Sequence, residues 1–220
     1  KVYNAIFSAD GSSVLFEKLS ENEENIDSFV GEIIVEETEN EEGGVFEERE
    51  LAIQPYSIIF EGFVSSPNNN SFAYLNKGSD STNIEIDTFG DLGSVEIFNT
   101  PLREILIEWS NEDLITMTTK ADSSEVGHSY IIDIDSETSR KILSDINGLT
   151  TKTSPDGERV LFSSVNNNNY TLNVLNTEEN EVRSLTLKTL PEKCVFSNTE
   201  SDSIYCGGPG GFVNADLPQD

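Results

Sequence analysis

Apolar residues in this chain come in short runs rich in β-branched and aromatic side chains, separated by clusters of Asn, Asp, Gly, Ser and Pro. That pattern predicts strands and turns, and no apolar stripe of helical period and useful length competes with it. The strand-like segments fall in groups of four: 57–65, 71–76, 83–89 and 94–99; then 104–109, 114–119, 129–135 and 139–143; then 149–153, 158–165, 170–175 and 181–187. Val160-Leu161-Phe162 is apolar on successive residues, which fits an inner strand covered on both faces. Turns beginning at Ser8, Ser66, Ser110, Ser154 and Ser197 are spaced by 58, 44, 44 and 43 residues. A period in the low forties with four short strands per period is the signature of a propeller blade. The expected fold is all-β: a single β-propeller region of four-stranded antiparallel blades over about 1–54, 55–100, 101–145 and 146–188, with a partial unit over 189–220, forming an incomplete arc of about four and a half blades.

The repeating unit is clearest at Ser154-Pro155-Asp156-Gly157, which precedes Val160-Leu161-Phe162. Pro155 presets φ for a turn, Asp156 caps it through its side chain, and Gly157 supplies the backbone freedom that closes it. Ser8, Asp10, Gly11, Val14, Leu15 and Phe16 repeat this unit 146 positions earlier, with Ala9 in place of proline.

Charge changes the picture. The 220 residues carry 41 acidic and 13 basic side chains, a net −28. Nucleic-acid binding through phosphate neutralisation and attraction to an anionic membrane surface are both excluded by the lack of a basic patch. No run approaches a membrane span and no signal-peptide pattern is present. A chain that begins at Lys1 and enters a strand at Val2 reads as a mature or excised piece, which leaves room for an N-terminal anchor outside it. The first period is longer than the others, and its excess is acidic: between Glu17 and Glu50 fourteen Asp or Glu face only Lys18 and Arg49. The simplest expectation is a solvated loop pair flanking a strand at Glu32 to Glu36, the least buried part of the chain; the sharper one is a docking surface for a basic partner or for cations.

Candidate chemistry is sparse. His128 is the one histidine and no Gly-x-Ser-x-Gly elbow occurs, so an imidazole relay has little to rest on and no catalytic residue is assigned. Asp133, Asp135 and Glu137 place oxygen ligands on alternate residues, as a calcium loop would, but Thr138 and Ser144 stand where a helix-loop-helix calcium site needs Gly and Glu. They are metal candidates only against a simpler reading as a strand end and turn, and no cofactor is expected, calcium being the alternative. Gly207-Gly208-Pro209-Gly210-Gly211 lacks the Lys and Ser/Thr of a phosphate loop, and Asn69-Asn70-Ser71 and Asn169-Tyr170-Thr171 are glycosylation-like patterns in turn-like surroundings. Cys194 and Cys206 flank a turn centred near residue 200, so antiparallel pairing sets them opposite each other and within reach of a disulfide. The alternative is two reduced core thiols, because a register slip of one residue would turn the side chains to opposite faces.

At its turns the chain resembles the TolB-like propeller repeats, whose hallmark is a Ser-Pro-Asp-Gly turn followed by an apolar strand. The match is full at Ser154-Pro155-Asp156-Gly157 and lacks only the proline at Ser8-Ala9-Asp10-Gly11; the turns at Ser66, Ser110 and Ser197 keep serine and then depart. Leu190 to Phe196, followed by Ile204-Tyr205-Cys206, is similar to an element of bacterial propellers placed outside the cytoplasm. The resemblance implies a propeller and an extracytoplasmic place, in the periplasm or at the cell surface, and implies no activity. The leading expectation is a non-enzymatic scaffold with a protein partner. The alternatives are the propeller portion of a larger oligopeptidase-like hydrolase, and a cation- or glycan-binding propeller.

Overall fold

The computed structural model describes residues 1–20, 24–39, 44–56, 60–90, 93–122, 125–166, 169–197 and 203–208. Four four-stranded antiparallel sheets follow one another along the chain, each built from consecutive strands. The first holds β1 (Val2–Phe7), β2 (Ser13–Leu19), β3 (Ile26–Glu39) and β4 (Val45–Tyr56); the second β5 (Phe63–Ser65), β6 (Ser71–Lys77), β7 (Thr82–Thr88) and β8 (Val95–Thr100). The third holds β9 (Ile105–Asn111), β10 (Leu114–Thr119), β11 (Val126–Asp133) and β12 (Thr138–Asn147); the fourth β13 (Thr151–Thr153), β14 (Arg159–Asn166), β15 (Asn169–Asn176) and β16 (Glu181–Ser184). A 3-10 turn, Pro191–Lys193, leads into a two-stranded sheet of β17 (Cys194–Phe196) and β18 (Ile204–Cys206). This is a β-propeller architecture: four blades and a short fifth sheet. The chain divides into two compact units, Lys1–Pro101 and Leu102–Asp220.

In the first unit an aromatic cluster joins the two blades. Leu15 and Val30 of the first sheet and Phe63, Phe72 and Tyr74 of the second close around Tyr56, Phe60 and Phe89. Tyr56 stacks on Phe60 at 5.1 Å and Phe72 meets Phe89 edge-on at 5.0 Å, geometries that add to plain area burial. In the second unit β14 is covered on both sides, as its unbroken apolar run predicts. Val160 and Phe162 pack with Leu143, Leu149 and Leu175, whereas Leu161 packs with Leu172, Cys194 and Phe196. Between the third and fourth blades a row of hydroxyls continues the seam: Thr116 bonds Thr153 at 2.8 Å and Thr118 bonds Thr151 at 2.7 Å. Glu108 closes its end by pairing with Lys152 and accepting the Thr153 backbone N–H at 2.9 Å.

The turns repeat bond for bond. Gly11 donates to the Ser8 carbonyl and Gly157 to that of Ser154, both at 2.9 Å, with φ of 72° and 73°. The serine hydroxyl accepts the N–H five residues on, from Ser13 at 2.9 Å and from Arg159 at 3.0 Å. The aspartate oxygen accepts the N–H two residues on, from Ser12 at 2.9 Å and from Glu158 at 3.0 Å. Ser66 keeps the framing bond to the Ser71 carbonyl at 2.9 Å although its turn lacks both Asp and Gly.

The first period departs from the loop pair expected of it. β3 and β4 form one long hairpin, paired without a break from Ser28 opposite Tyr56 to Glu39 opposite Val45. The β-branched and apolar residues Ile33, Ile34, Val35, Leu51 and Ile53 recur often enough between glutamates to hold a ladder, and in an outward-facing hairpin the charges stay in water. Smaller differences lie at strand ends. β5 begins at Phe63, the expected start at residues 57–59 falling outside the described residues, and β12 runs on to Asn147 through register shifts near Ser129. The turn centre near residue 200 and the Gly-rich segment from Pro209 onward also fall outside the described residues.

Candidate interaction surface

The outer part of the β3–β4 hairpin is exposed along most of its length. β2 accompanies β3 only as far as Ser13 opposite Glu32, with one further bond from the Ile33 N–H to the Ser12 carbonyl at 2.7 Å. Beyond that point β3 is paired with β4 alone among the described residues. Since directly opposed residues share a face, Ile33 with Leu51, Val35 with Arg49 and Glu37 with Glu47 lie on one side. Ile34 with Glu50 and Glu36 with Glu48 lie on the other. Val35, Leu51 and Ile53 are 50%, 42% and 52% exposed, a strip of apolar surface at the ribbon's base. Leu51 lies across Gly31, where an added Cβ would come within 2.8 Å of its Cδ1, so glycine there lets the strip sit close to the sheet. Among the ribbon's charges Arg49 donates to Glu47 at 3.0 Å in an exposed pair that contributes little.

At the foot of the ribbon lies a cleft of about 630 Å³ lined by Ser12, Ser13, Glu32, Ile53, Gln54 and Asn70, among others. Below it the carboxylates of β7 are already satisfied. Tyr56 donates to Asp87, which also accepts backbone N–H groups from Thr88 at 2.7 Å and Gly93 at 2.9 Å. Tyr74 donates to Glu85 at 2.5 Å and Asn76 donates to it at 2.7 Å. Burial, then the bond to Glu85, pushes the Tyr74 hydroxyl up to about 12. Burial, then the bond to Asp87, raises Tyr56 further. Burial would raise Glu85, but the bonds from Tyr74 and Asn76 outweigh it and hold its carboxyl below the usual range. These groups lock the second blade to the end of β4. The alternation Glu85-Ile86-Asp87 in a strand was the available signal for a paired buried face, and it carries no partner without the fold.

The remaining sequence candidates sit as follows. Asp133 accepts the Ser136 hydroxyl at 2.7 Å and its N–H at 2.8 Å, which lowers its pKa; Asp135 and Glu137 are exposed in the same turn, Glu137 at φ 53°. Among the described residues no three His, Cys, Asp or Glu gather closely enough to hold a metal. Asp133, Asp156 and Gly157 do share a cleft of about 430 Å³ with Arg140 and Glu158. His128 accepts the Asp145 N–H at Nδ1, 3.3 Å away, and its backbone bonds Thr119. Cys194 stands opposite Cys206 and the two are joined as a disulfide with Cα atoms 4.0 Å apart. Bonds from Ser197 to the Ser203 carbonyl and from Gly207 to that of Lys193 make this a non-hydrogen-bonded pair, the closer of the two antiparallel spacings. Pro155, with Glu108, Lys152 and Phe196, borders a smaller cleft of about 170 Å³.

No protein-family model and no curated protein matches the chain. Solved structures do. TolB from Acinetobacter baumannii superposes with a TM-score of 0.55 at 13% identity over 87% of this chain and 45% of that one. The acylaminoacyl peptidase of Pyrococcus horikoshii gives 0.55 at 12% identity over 86% of this chain and 32% of that one. The β-propeller domain of the Trilobed protease from Pyrococcus furiosus gives 0.51 at 10% identity over 86% and 58%. The fold is therefore that of a TolB-like β-propeller. The chain spans less than half the length of the TolB it matches.

Proposed function

We propose that this chain is a non-enzymatic propeller scaffold that works outside the cytoplasm and holds a protein partner on the β3–β4 ribbon. The observation that carries the reading is the ribbon itself: it runs beyond the blade that supports it, and it combines an exposed apolar strip with glutamates on both faces. Among the described residues of the first unit Val35, Leu51 and Ile53 stay 42–52% exposed, which packing there does not account for, and the charge keeps such a strip in water. The disulfide between Cys194 and Cys206 supports the compartment, because such bonds rarely persist in cytosol. A photo-reactive residue placed at Thr38 in the source cell tests the reading. One cross-linked protein species is expected, lost when Glu47, Glu48 and Glu50 are changed together to lysine; a yield no greater than from the same probe at Glu178 would overturn it.

The likeness to acylaminoacyl peptidase favours a second reading, the propeller portion of a larger hydrolase. Sequence flanking this chain discriminates the two: a hydrolase nucleophile elbow would support the enzyme, and blades alone would support the scaffold. A cation or glycan reading draws on the same acidic surface and on Asp133. Calcium raising the melting temperature at constant ionic strength, where sodium does not, would favour it.

A further inference from the structure

β4 is the outer strand of its sheet, and its backbone polarity can be assigned residue by residue. The Ile33 N–H bonds the carbonyl of Ser12, just ahead of β2, so Ile33 turns its backbone away from β4, and its opposite residue Leu51 likewise turns away from β3. Alternation then places the N–H and C=O groups of Val45, Glu47, Arg49, Leu51 and Ile53 on the open side of β4. Pro55 continues this parity. A proline has no N–H to offer and is tolerated in strands where the N–H would face outward, so it marks the inner end of the free edge.

We infer that this free edge takes up an extended cationic segment of the partner as an added strand, with valine-like side chains over Leu51 and Ile53 and lysine or arginine beside Glu48 and Glu50. The inference rests on the interaction-scaffold reading and specifies its chemistry. Two observations choose the occupant. The ribbon from Glu32 to Glu39 and from Val45 to Glu50 carries seven glutamates against Arg49, so an incoming strand with basic residues finds opposite charges along its length. A second copy of this chain would instead bring Glu47, Glu48 and Glu50 against their own kind, and two bodies each of net −28 together. On β4 near the base, Leu51 and Ile53 lie on one face and Glu48 and Glu50 on the other, so the pattern that fits there is apolar on one face and basic on the other. Backbone bonds would supply affinity and the alternate side chains specificity.

The test uses the full chain and a blocked peptide of alternating lysine and valine, about ten residues long to cover the free edge. On binding, amide exchange should slow at Val45, Glu47, Arg49, Leu51 and Ile53 and stay unchanged at Glu48 and Glu50, whose N–H groups already face β3. Arg49→Pro removes one outward donor without touching the β3 ladder, and the same peptide N-methylated at alternate amides removes the bonds from the other side. Arg49→Pro should weaken binding several-fold, the order expected from losing one hydrogen bond, and the N-methylated peptide, which loses several, by well over tenfold. Equal binding by the N-methylated peptide would overturn strand addition while leaving an electrostatic docking surface intact. No binding of either peptide, or pairing of the chain with itself through β4, would overturn it as well. Failure of the Thr38 cross-link alone would instead remove the scaffold reading beneath it.

Discussion

Asp10 and Asp156 hold the same place in two turns that lie 146 residues apart, and acid should tell them from ordinary surface carboxylates. The Ser8 hydroxyl, with the Ser12 N–H and hydroxyl, lowers Asp10 from 3.8 to about 2. Asp156 is lowered too, burial being outweighed by Ser154, Glu158 and Arg159. A carboxyl whose folded pKa is depressed stabilises the fold above its unfolded value, and that contribution is lost as pH falls through the folded one. For Asp10 the window is therefore between 3.8 and about 2, and carbon-detected titration of the side chain should show it. In Asp10→Asn the acid limb of the stability curve should flatten there. Glu17 acts with the opposite sign: burial raises it, so its contribution improves as pH falls. The glycines of the two turns should separate in the same assay. Gly11→Ala meets open space and should cost about 1 kcal/mol for its left-handed backbone. Gly157→Ala carries the same backbone cost and also puts a Cβ 2.6 Å from Leu114 Cδ1, so the Leu114 side chain must shift and the loss should be somewhat larger. Tyr56→Phe takes one donor from buried Asp87 and should lose about 1–3 kcal/mol in denaturant unfolding.

Among the elements, the strand groups and their turns were legible in the sequence because period and turn chemistry are local. Val160-Leu161-Phe162 announces burial on both faces without any knowledge of what covers it. The β3–β4 hairpin was not legible, since its glutamates obscure an alternation that shows only when residues 33–39 are laid against 45–51. Its backbone parity, on which the proposed site depends, comes from one bond, Ile33 to Ser12, that no local pattern contains. Glu36 opposite Glu48 and Glu37 opposite Glu47 are like-charge pairs, so the ribbon forms against its own repulsion. Glu36→Lys should therefore stabilise it by about 0.2–1 kcal/mol and reduce its response to salt. Amide exchange of the ribbon in low and high sodium chloride would check both; no gain from the lysine would mean that the side chains splay apart in water.

For the whole molecule the spacing of the serine turns carried the architecture, with Ser-x-Asp-Gly complete in two of them, and the likeness to TolB and peptidase propellers agrees with it. Partner and compartment stand on other residues. The Cys194–Cys206 bond spans a separation of 12 residues and should be worth about 3 kcal/mol by the chain-entropy argument. Unreduced, unfolded protein from the source cell should yield no free thiol, and Cys194→Ser with Cys206→Ser should melt earlier. Recovery of two thiols would withdraw the support for an extracytoplasmic place. The far half of the ribbon, from Val35 outward, leans on no other strand described. Its length is thus a free variable: residues can be removed or added in opposed pairs, such as Glu37 with Glu47, without altering the register at the base. The reach of the proposed edge can be set by lengthening or shortening one hairpin, while the aromatic core beneath keeps the same sequence.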